Sequence, residues 1–368
     1  MDKIKSLTGM LDLYDDGDNS LLPAKLFYLE EKIKHIFKSY KLNEIRTPVL
    51  EDTNLFIRSV GGASDIVNKE ISSFNDRNDK GIALRPEGTA SVIRSIVEKK
   101  LDQSNHKLWY MGPMWRYERP QKGRYRQFNQ AGVEILGIPE GMPEFEMISI
   151  VCSIITEFNL ENCTIKINHL GNQKSKESFC NALIDFLEPH KKLLDEKDNQ
   201  RLEKNPLRVL DTKNTNTQEI LKNAPSIKEF LDSSSVNLLN SIKNEFSDIC
   251  NIEIDYTLVR GLDYYSGFVF EAVSSNLGAQ DSFLGGGRYD QLCAKLGGKN
   301  LPSIGMAIGL ERFAELIEVN NLPEKVVSFI VVTGNLEPKA YKIAHQLRSL
   351  NKDIVLDIHL SEGSLKAK

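Results

Sequence analysis

The run Leu258-Val259-Arg260-Gly261-Leu262-Asp263-Tyr264-Tyr265 limits what this chain can fold into more than any other stretch, because it reads as one extended strand carrying an arginine and two adjacent tyrosines. The sheet that accepts it must offer a face where a cation and aromatic rings can be buried together. Alternation places Arg260, Leu262 and Tyr264 on one face and Tyr265 on the other, unless Gly261 breaks the pleat with a bulge and both tyrosines line a cleft. Such a strand suits a pocket for a ligand that is both anionic and aromatic. An edge strand with stacked neighbours is the alternative reading of the same residues.

At 368 residues the chain exceeds what one hydrophobic core usually organises, so two or three domains are expected. A net charge of -4 excludes the global basic excess of a nucleic-acid coat, and any RNA contact has to be local. The start, Met1-Asp2-Lys3-Ile4-Lys5-Ser6, lacks the apolar segment of a secretory signal, and no apolar run is long enough to cross a bilayer. A cytoplasmic location with no membrane partner is the expectation. Cys152, Cys163, Cys180, Cys250 and Cys293 show no Cys-x-x-Cys spacing and no nearby histidine pair, so neither a metal site nor a disulfide framework is expected.

Apolar residues at Leu26, Leu29, Ile33, Ile36 and Phe37 predict a helix opened by Pro23. Residues 43–50 read as a strand in which Pro48, unable to donate to a ladder, belongs at an edge or an interface. A helix near 89–100, strands at 107–118 and 126–136, a helix at 144–158 and a strand at 164–169 follow. Residues 171–250 are rich in Lys, Asp, Glu and Asn with helical apolar spacing, which reads as a helical insertion. Strands resume through 252–273 and around Phe283, followed by a glycine-rich bend at 285–287, a helix from Tyr289, and the entry to a last helix of this body at 304–312. Mostly antiparallel strands with a helical inset predict an α+β fold. After a linker at 319–324, strand 326–332, helix 338–349 and strand 354–358 form a further βαβ unit.

Four constellations carry chemistry. In Leu84-Arg85-Pro86-Glu87-Gly88-Thr89, glycine allows close approach and Glu87 with Thr89 offers acceptors for an ammonium group, while a helix start capped by Thr89 is the structural alternative. Between Arg116 and Arg126, five cations interleave with aromatics, as a nucleotide's phosphates and base require; a solvated basic hairpin is the alternative. Gly285-Gly286-Gly287-Arg288-Tyr289-Asp290 permits close backbone approach but fits neither a P-loop nor a dinucleotide fingerprint. In Gly309-Leu310-Glu311-Arg312 an arginine joins the positive end of a helix to hold an anion, or is a surface residue.

In this order the four resemble the histidyl-tRNA synthetase family of class II aminoacyl-tRNA synthetases, from about residue 8 to the end of the chain. The segment around Pro48 is similar to the dimer-forming motif 1, residues 112–136 to motif 2 and residues 303–316 to motif 3. Residues 258–265 and 279–292 are similar to the two histidine signatures, and Asn205-Pro206-Leu207-Arg208-Val209-Leu210-Asp211 to a further stretch of the family. The resemblance implies a class II antiparallel sheet flanked by helices. It divides the chain into catalytic core at 1–170 and 251–318, helical insertion at 171–250, and a partial anticodon-binding domain at 326–368. That last domain is expected to be incomplete, mobile and protease-sensitive.

The resemblance also implies the chemistry: histidine and ATP give histidyl-adenylate, and the histidyl group passes to tRNA(His), with Mg2+ accompanying ATP, on a homodimer. Glu87, Gly88, Thr89 and Gln130 would surround the amino acid's ammonium group, and Glu134 with Tyr264 and Tyr265 its imidazole. An imidazole with one donor and one acceptor needs one partner of each kind. Arg116 and Arg260 would be the catalytic arginines at the α-phosphate, with Glu118 and Arg312 completing the ATP site; the Mg2+ ligand is not identified by any motif. A non-catalytic paralogue, the regulatory subunit of ATP phosphoribosyltransferase, resembles the same body. Retention of Arg260, Glu87, Arg116, Gln130, Glu134 and both tyrosines favours the synthetase.

Overall fold

The apolar stripe from Leu26 to Phe37 becomes the buried face of helix α1 (Leu21–Ser39), whose Leu29, Ile33 and Phe37 are fully buried. The structure, a computed structural model, describes residues 3–14, 21–61, 66–121, 123–278, 281–318, 328–332 and 336–359. Two units divide between residues 319 and 320. In the larger one α1 is followed by β1 (Asn43–Glu44), β2 (Leu50–Asp52), α2 (Thr53–Val60), β3 (Ser73–Asn75), β4 (Gly81–Leu84) and α3 (Thr89–Glu98). Next come β5 (His106–Trp115), β6 (Gln127–Leu136), α4 (Met142–Glu157) and β7 (Cys163–His169). Helices α5 (Gln173–Leu187), α6 (Glu196–Lys204), α7 (Thr215–Leu221) and α8 (Ser233–Phe246) occupy the stretch read as an insertion. The body closes with β8 (Ile252–Ile254), β9 (Phe268–Ser274), β10 (Ser282–Arg288), α9 (Leu292–Lys295), β11 (Ser303–Gly309) and α10 (Leu310–Ala314).

Eight of these strands form one sheet in the order β1-β5-β6-β11-β10-β9-β7-β8, antiparallel throughout except at its two edges, where β1 pairs with β5 and β8 with β7 in parallel. Alternation divides its residues cleanly. Ala131, Val133 and Ile135 of β6, Ile304, Met306 and Ile308 of β11, and Phe268, Phe270 and Ala272 of β9 join the α1 and α4 side chains in one apolar core. The residues between them, Gln130, Gly132 and Glu134, Gly305 and Ala307, and Glu271, therefore fall on the opposite face. At the middle of the sheet that face is small and polar where the first is large and apolar, which makes it the candidate ligand face. The expected α+β architecture, a large antiparallel sheet flanked by helices, is the observed one.

Four local expectations need correction. The strand expected over 43–50 splits into β1 and β2, which belong to different sheets: β2 joins β4 and β3 in a three-stranded sheet. Pro48 lies between the two pieces, where its missing donor costs no ladder bond. The strand expected through 252–273 is interrupted by an irregular loop from residue 255 to residue 267, and the Arg260–Tyr265 run lies entirely in that loop. The glycine run 285–287 is not a bend but the middle of β10, paired with β9 and β11 on both sides. The helix expected from Tyr289 begins only at Leu292 and is four residues long.

The second unit is described by β12 (Ser328–Val331), α11 (Glu337–Leu350) and β13 (Leu356–His359), with β12 and β13 parallel. Parallel neighbours need a crossover, and α11 supplies it, with Ala340 and Ala344 buried together with Leu356 and Ile358. The linker expected at 319–324 and the start of the strand expected from 326 lie outside the described residues.

Candidate active site

Glu134 is fully buried on the ligand face. Burial pushes its carboxyl up to about 8, against the pull of two hydroxyl donors. Those donors come from different elements. Thr89 Oγ1, at the start of α3, donates to Oε1 at 2.7 Å, and the Tyr289 hydroxyl, just beyond β10, donates to Oε2. Tyr289, part of the glycine-rich signature 285–290, is thereby a direct partner of Glu134.

Glu87 is also buried, and burial raises its pKa although neighbouring donors oppose this. Its carboxylate accepts from the backbone N–H of Thr89 at 2.7 Å and of Ala90 at 2.9 Å. Two of the orphan amides at the start of α3 are thus satisfied by Glu87, and the Thr89 hydroxyl faces Glu134 instead of capping the helix. Gly88 and Gly132 lie on either side of the Tyr110 ring, and a Cβ on either would overlap it. Tyr110 thus packs directly behind the candidate site although no motif announces it; its trace in the sequence is the pair of glycines that make room.

Tyr264 and Tyr265 do not sit on alternating faces, because their segment is a loop. Both are buried, 4% and 8% exposed, with ring centroids 4.7 Å apart, and Tyr264 meets Tyr289 edge-on at 5.6 Å. The outcome allowed for a bulged strand, both rings on one cleft, is reached by leaving the strand altogether. Arg260 in the same loop lies over β10 and pairs with Glu271 of β9 at 3.1 Å. Its guanidinium fills the space that a side chain at Gly285 would occupy. Glu271, a partner the sequence did not single out, is placed there by the alternation of β9.

Next to this end lies a cationic cleft lined by Arg116, Arg124, Arg260 and Arg312 with Glu118 and Phe128. Arg116 donates from Nε to the carbonyl of Pro86 at 2.8 Å and lies over the Phe128 ring at 5.3 Å. Glu118 pairs with Arg124 at 3.0 Å and reaches Arg116 at 4.0 Å. Burial lowers the pKa of Arg312, and the positive charge of Arg124 adds to the effect. Glu311, also unassigned before, takes three hydrogen bonds from Asn129 and so ties α10 to β6. Lys122 of the basic connection and Ala279 and Gln280 of the second signature lie outside the described residues.

Gln130 spans the two ends. It is 8% exposed and lines the cleft, and its Oε1 has no hydrogen-bond partner among the described residues; Arg260 Nε is in the same condition. Both residues line the cleft, so a ligand entering it could satisfy these two atoms. All the residues expected to bind histidine or ATP are thus brought to one face of one sheet: a buried carboxylate with hydroxyls and aromatic rings at one end, four arginines at the other. No helix among the described residues is long and apolar enough to cross a membrane.

The family described as histidyl-tRNA synthetase matches residues 22–313. A histidine–tRNA ligase of Francisella philomiragia subsp. philomiragia is 42% identical over 363 residues, covering 96% of this chain and 86% of the relative. One of Microcystis aeruginosa is 44% identical over 351 residues, covering 93% and 82%. Among solved structures, apo histidyl-tRNA synthetase of S. aureus superposes with a TM-score of 0.77 at 31% identity, covering 99% of this chain and 87% of that one. A protein of Bacillus halodurans C described as an ATP phosphoribosyltransferase regulatory subunit/histidyl-tRNA synthetase superposes at 0.68 with 20% identity, covering 99% and 95%, a likeness of fold alone.

Proposed function

The chain belongs to the histidyl-tRNA synthetase family, and from that premise we propose that the two-ended pocket activates histidine at its carboxylate end with ATP at its arginine end. Its activity is that of an aminoacyl-tRNA ligase, carrying histidine to tRNA, and not that of the regulatory paralogue. The observation that supports the assignment of the site is the placing of buried Glu134 beside an arginine-lined cleft on one sheet face.

In this reading the imidazole enters toward Glu134 and the tyrosines. Glu134 and Tyr265 supply its two polar partners, with Thr89 and Tyr289 fixing the carboxylate and Tyr264 closing the pocket. A side chain that cannot meet those buried groups leaves them unpaired, which rejects other amino acids more strongly than shape does. Glu87, Thr89 and Gln130 hold the ammonium group, and Gly88 lets the Tyr110 ring pack behind them. The substrate carboxylate then lies between Arg116 and Arg260. One of its oxygens attacks the α-phosphorus of ATP, the bond to the bridging oxygen breaks, and pyrophosphate leaves with that electron pair. No protein nucleophile takes part; alignment and neutralisation of the phosphoryl oxygens by the arginines carry the step. Arg312 and Glu118 complete the nucleotide site. A hydroxyl of the terminal tRNA ribose next attacks the adenylate carbonyl, and AMP departs.

Magnesium would accompany the nucleotide. Glu118 and Glu311 line the cleft but are engaged by Arg124 and by Asn129, and no cluster of three ligating side chains exists among the described residues, so the phosphates would supply most of its ligands. When bound it neutralises phosphate charge.

We further propose a cytoplasmic homodimer, joined through the segment around Pro48. Its catalytic body would comprise residues 1–170 and 251–318, with an insertion at 171–250 and part of an anticodon-binding domain at 326–368. Histidine-dependent exchange of pyrophosphate into ATP tests the function, and a purified chain that charges no tRNA(His) and shows no exchange would overturn it.

A further inference from the structure

The loop from residue 255 to residue 267 carries Arg260, Tyr264 and Tyr265 yet has no ladder to hold it. Backbone bonds tie only its ends, from Asp255 N–H to the Ile167 carbonyl, from Ser266 N–H to that of Arg288 and from Leu170 N–H to that of Gly267, and between them side chains reach it from outside. Arg208 Nη1 donates to the carbonyl of Gly261 at 2.9 Å and lies 3.8 Å from Asp263 Oδ1. Asn205 Nδ2 donates to the same Asp263 oxygen at 2.8 Å. Lys176 Nζ donates to the carbonyl of Tyr265 at 3.3 Å, and Asn168 Nδ2 to that of Leu258 at 2.9 Å. Of these four donors only Asn168 belongs to the sheet. Lys176 is on α5, and Asn205 and Arg208 are in the 3₁₀ turn Pro206–Asp211 and at its threshold.

That turn is the Asn205–Asp211 stretch, similar to the family but without an assigned role. Its construction suits a rigid clamp. Pro206 opens it, and Leu207 and Val209 are buried in the same apolar cluster as Tyr264 and Tyr265, so the polar side chains on either side of Leu207 are directed by packing and not by chance. Arg201 of α6 donates to the carbonyl of Asp211 at 3.2 Å and closes the turn from behind. Gly267, at a φ of 67°, uses glycine's freedom to return the chain to β9, but position 261 does not. Gly261 is outside the left-handed region and a Cβ there would meet nothing within 4 Å, so what is held at this position is its carbonyl.

We propose that Asn205 and Arg208 are positioning residues for amino-acid activation: the insertion grips the loop at Gly261 and Asp263, on either side of Leu262, and thereby sets where Arg260 and the tyrosine pair stand. This rests on the reading that Arg260 and Tyr265 act on histidine and ATP. Loss of the grip moves the loop by a fraction of its own width, which is enough to spoil alignment while Arg116 and Arg312 keep the nucleotide.

The test is histidine-dependent pyrophosphate exchange by the full chain carrying Arg208→Gln, Arg208→Lys, Asn205→Ala or Tyr265→Phe, and by the double variant Arg208→Gln/Tyr265→Phe, with a melting curve for each. Arg208→Gln is expected to lower kcat/KM for histidine roughly tenfold to hundredfold with little change in KM for ATP. Arg208→Lys, which keeps a donor for the Gly261 carbonyl, should recover part of the loss. In the double variant the two losses should be far less than multiplicative, because a displaced loop has already removed what Tyr265 contributes. Fully multiplicative losses, or parental histidine kinetics in both Arg208→Gln and Asn205→Ala while Tyr265→Phe is impaired, would overturn the positioning role and leave the site's assignment standing. Parental histidine binding in Tyr265→Phe would instead overturn that assignment, and the positioning role with it.

Discussion

Gly305 stands directly across the β6–β11 ladder from Glu134, and a Cβ on it would overlap Glu134 Oε2 while lying 3.0 Å from the carbonyl of Val133. The carboxylate therefore lies flat over the neighbouring strand in a space that only a glycine leaves open. Gly305→Ala has to displace Glu134 from Thr89 and Tyr289. Its expected effects are a rise in KM for histidine of about a hundredfold and a loss of about 1–3 kcal/mol of stability from overpacking. Exchange kinetics and denaturant unfolding measure the two, and a variant with parental KM would show that Glu134 is not held by this contact.

Glu134 also sets a pH dependence whose sign follows from burial. Its carboxyl moves from an ordinary value of 4.5 to about 8 in the folded protein, so between these values the native state binds the proton and the unfolded chain does not. Stability then falls as pH rises through the window, by up to about 1.4 kcal/mol per pH unit from this group. Unfolding of the parent and of Glu134→Gln across pH 5 to 9 separates this term from the rest: the variant's curve should be the flatter one. Parallel curves would mean that Glu134 titrates near its ordinary value.

Arg116 and Arg260 approach the cleft from different sheet neighbours, one anchored on the Pro86 carbonyl and the other on Glu271. Each is expected to bear on charge that grows at the α-phosphate, so Arg116→Ala and Arg260→Ala should each lower exchange about 10²- to 10³-fold. Unchanged melting temperatures would distinguish this from loss of fold. Exchange within about threefold of the parent in either variant is incompatible with the proposed chemistry.

The ligand face was readable because alternation is a rule of geometry. Once Ala131, Val133 and Ile135 are assigned to the apolar core, Gln130 and Glu134 have to face the other way. The same rule misled at 258–265, where an apolar and aromatic run looks like a strand but the segment leaves the sheet; the donors that hold it, Asn205, Arg208 and Lys176, are more than 50 residues distant in sequence from the groups they bind and leave no local pattern. Tyr110 and Glu271 escaped for a related reason. One is an aromatic on a strand like any other and the other a solvated-looking acid, and only the sheet's register brings them to Gly132 and to Arg260. The split of 43–50 between two sheets was likewise invisible, because Pro48 permits a crossing from one sheet to the next as readily as an edge strand.

The homodimer is the remaining expectation. Arg85, 5% exposed, donates from Nη1 to both the carbonyl and the hydroxyl of Thr47 and from Nε to the carbonyl of Pro113. A buried guanidinium spent on main-chain carbonyls fixes the Thr47–Pro48 corner rigidly and leaves Val49 and Leu50 projecting, at 39% and 43% exposure, with Phe74 at 51% on the same three-stranded sheet. Apolar side chains displayed on a rigid corner fit a two-fold interface, in which each copy presents the same patch to the other. Light scattering at micromolar concentration should return twice the mass of one chain, and Leu50→Glu, which places a carboxylate against its own symmetry mate or its neighbours, should shift the equilibrium toward the monomer. A parent that runs as a monomer, or a Leu50→Glu variant that dimerises as well as the parent, would place the interface elsewhere or nowhere.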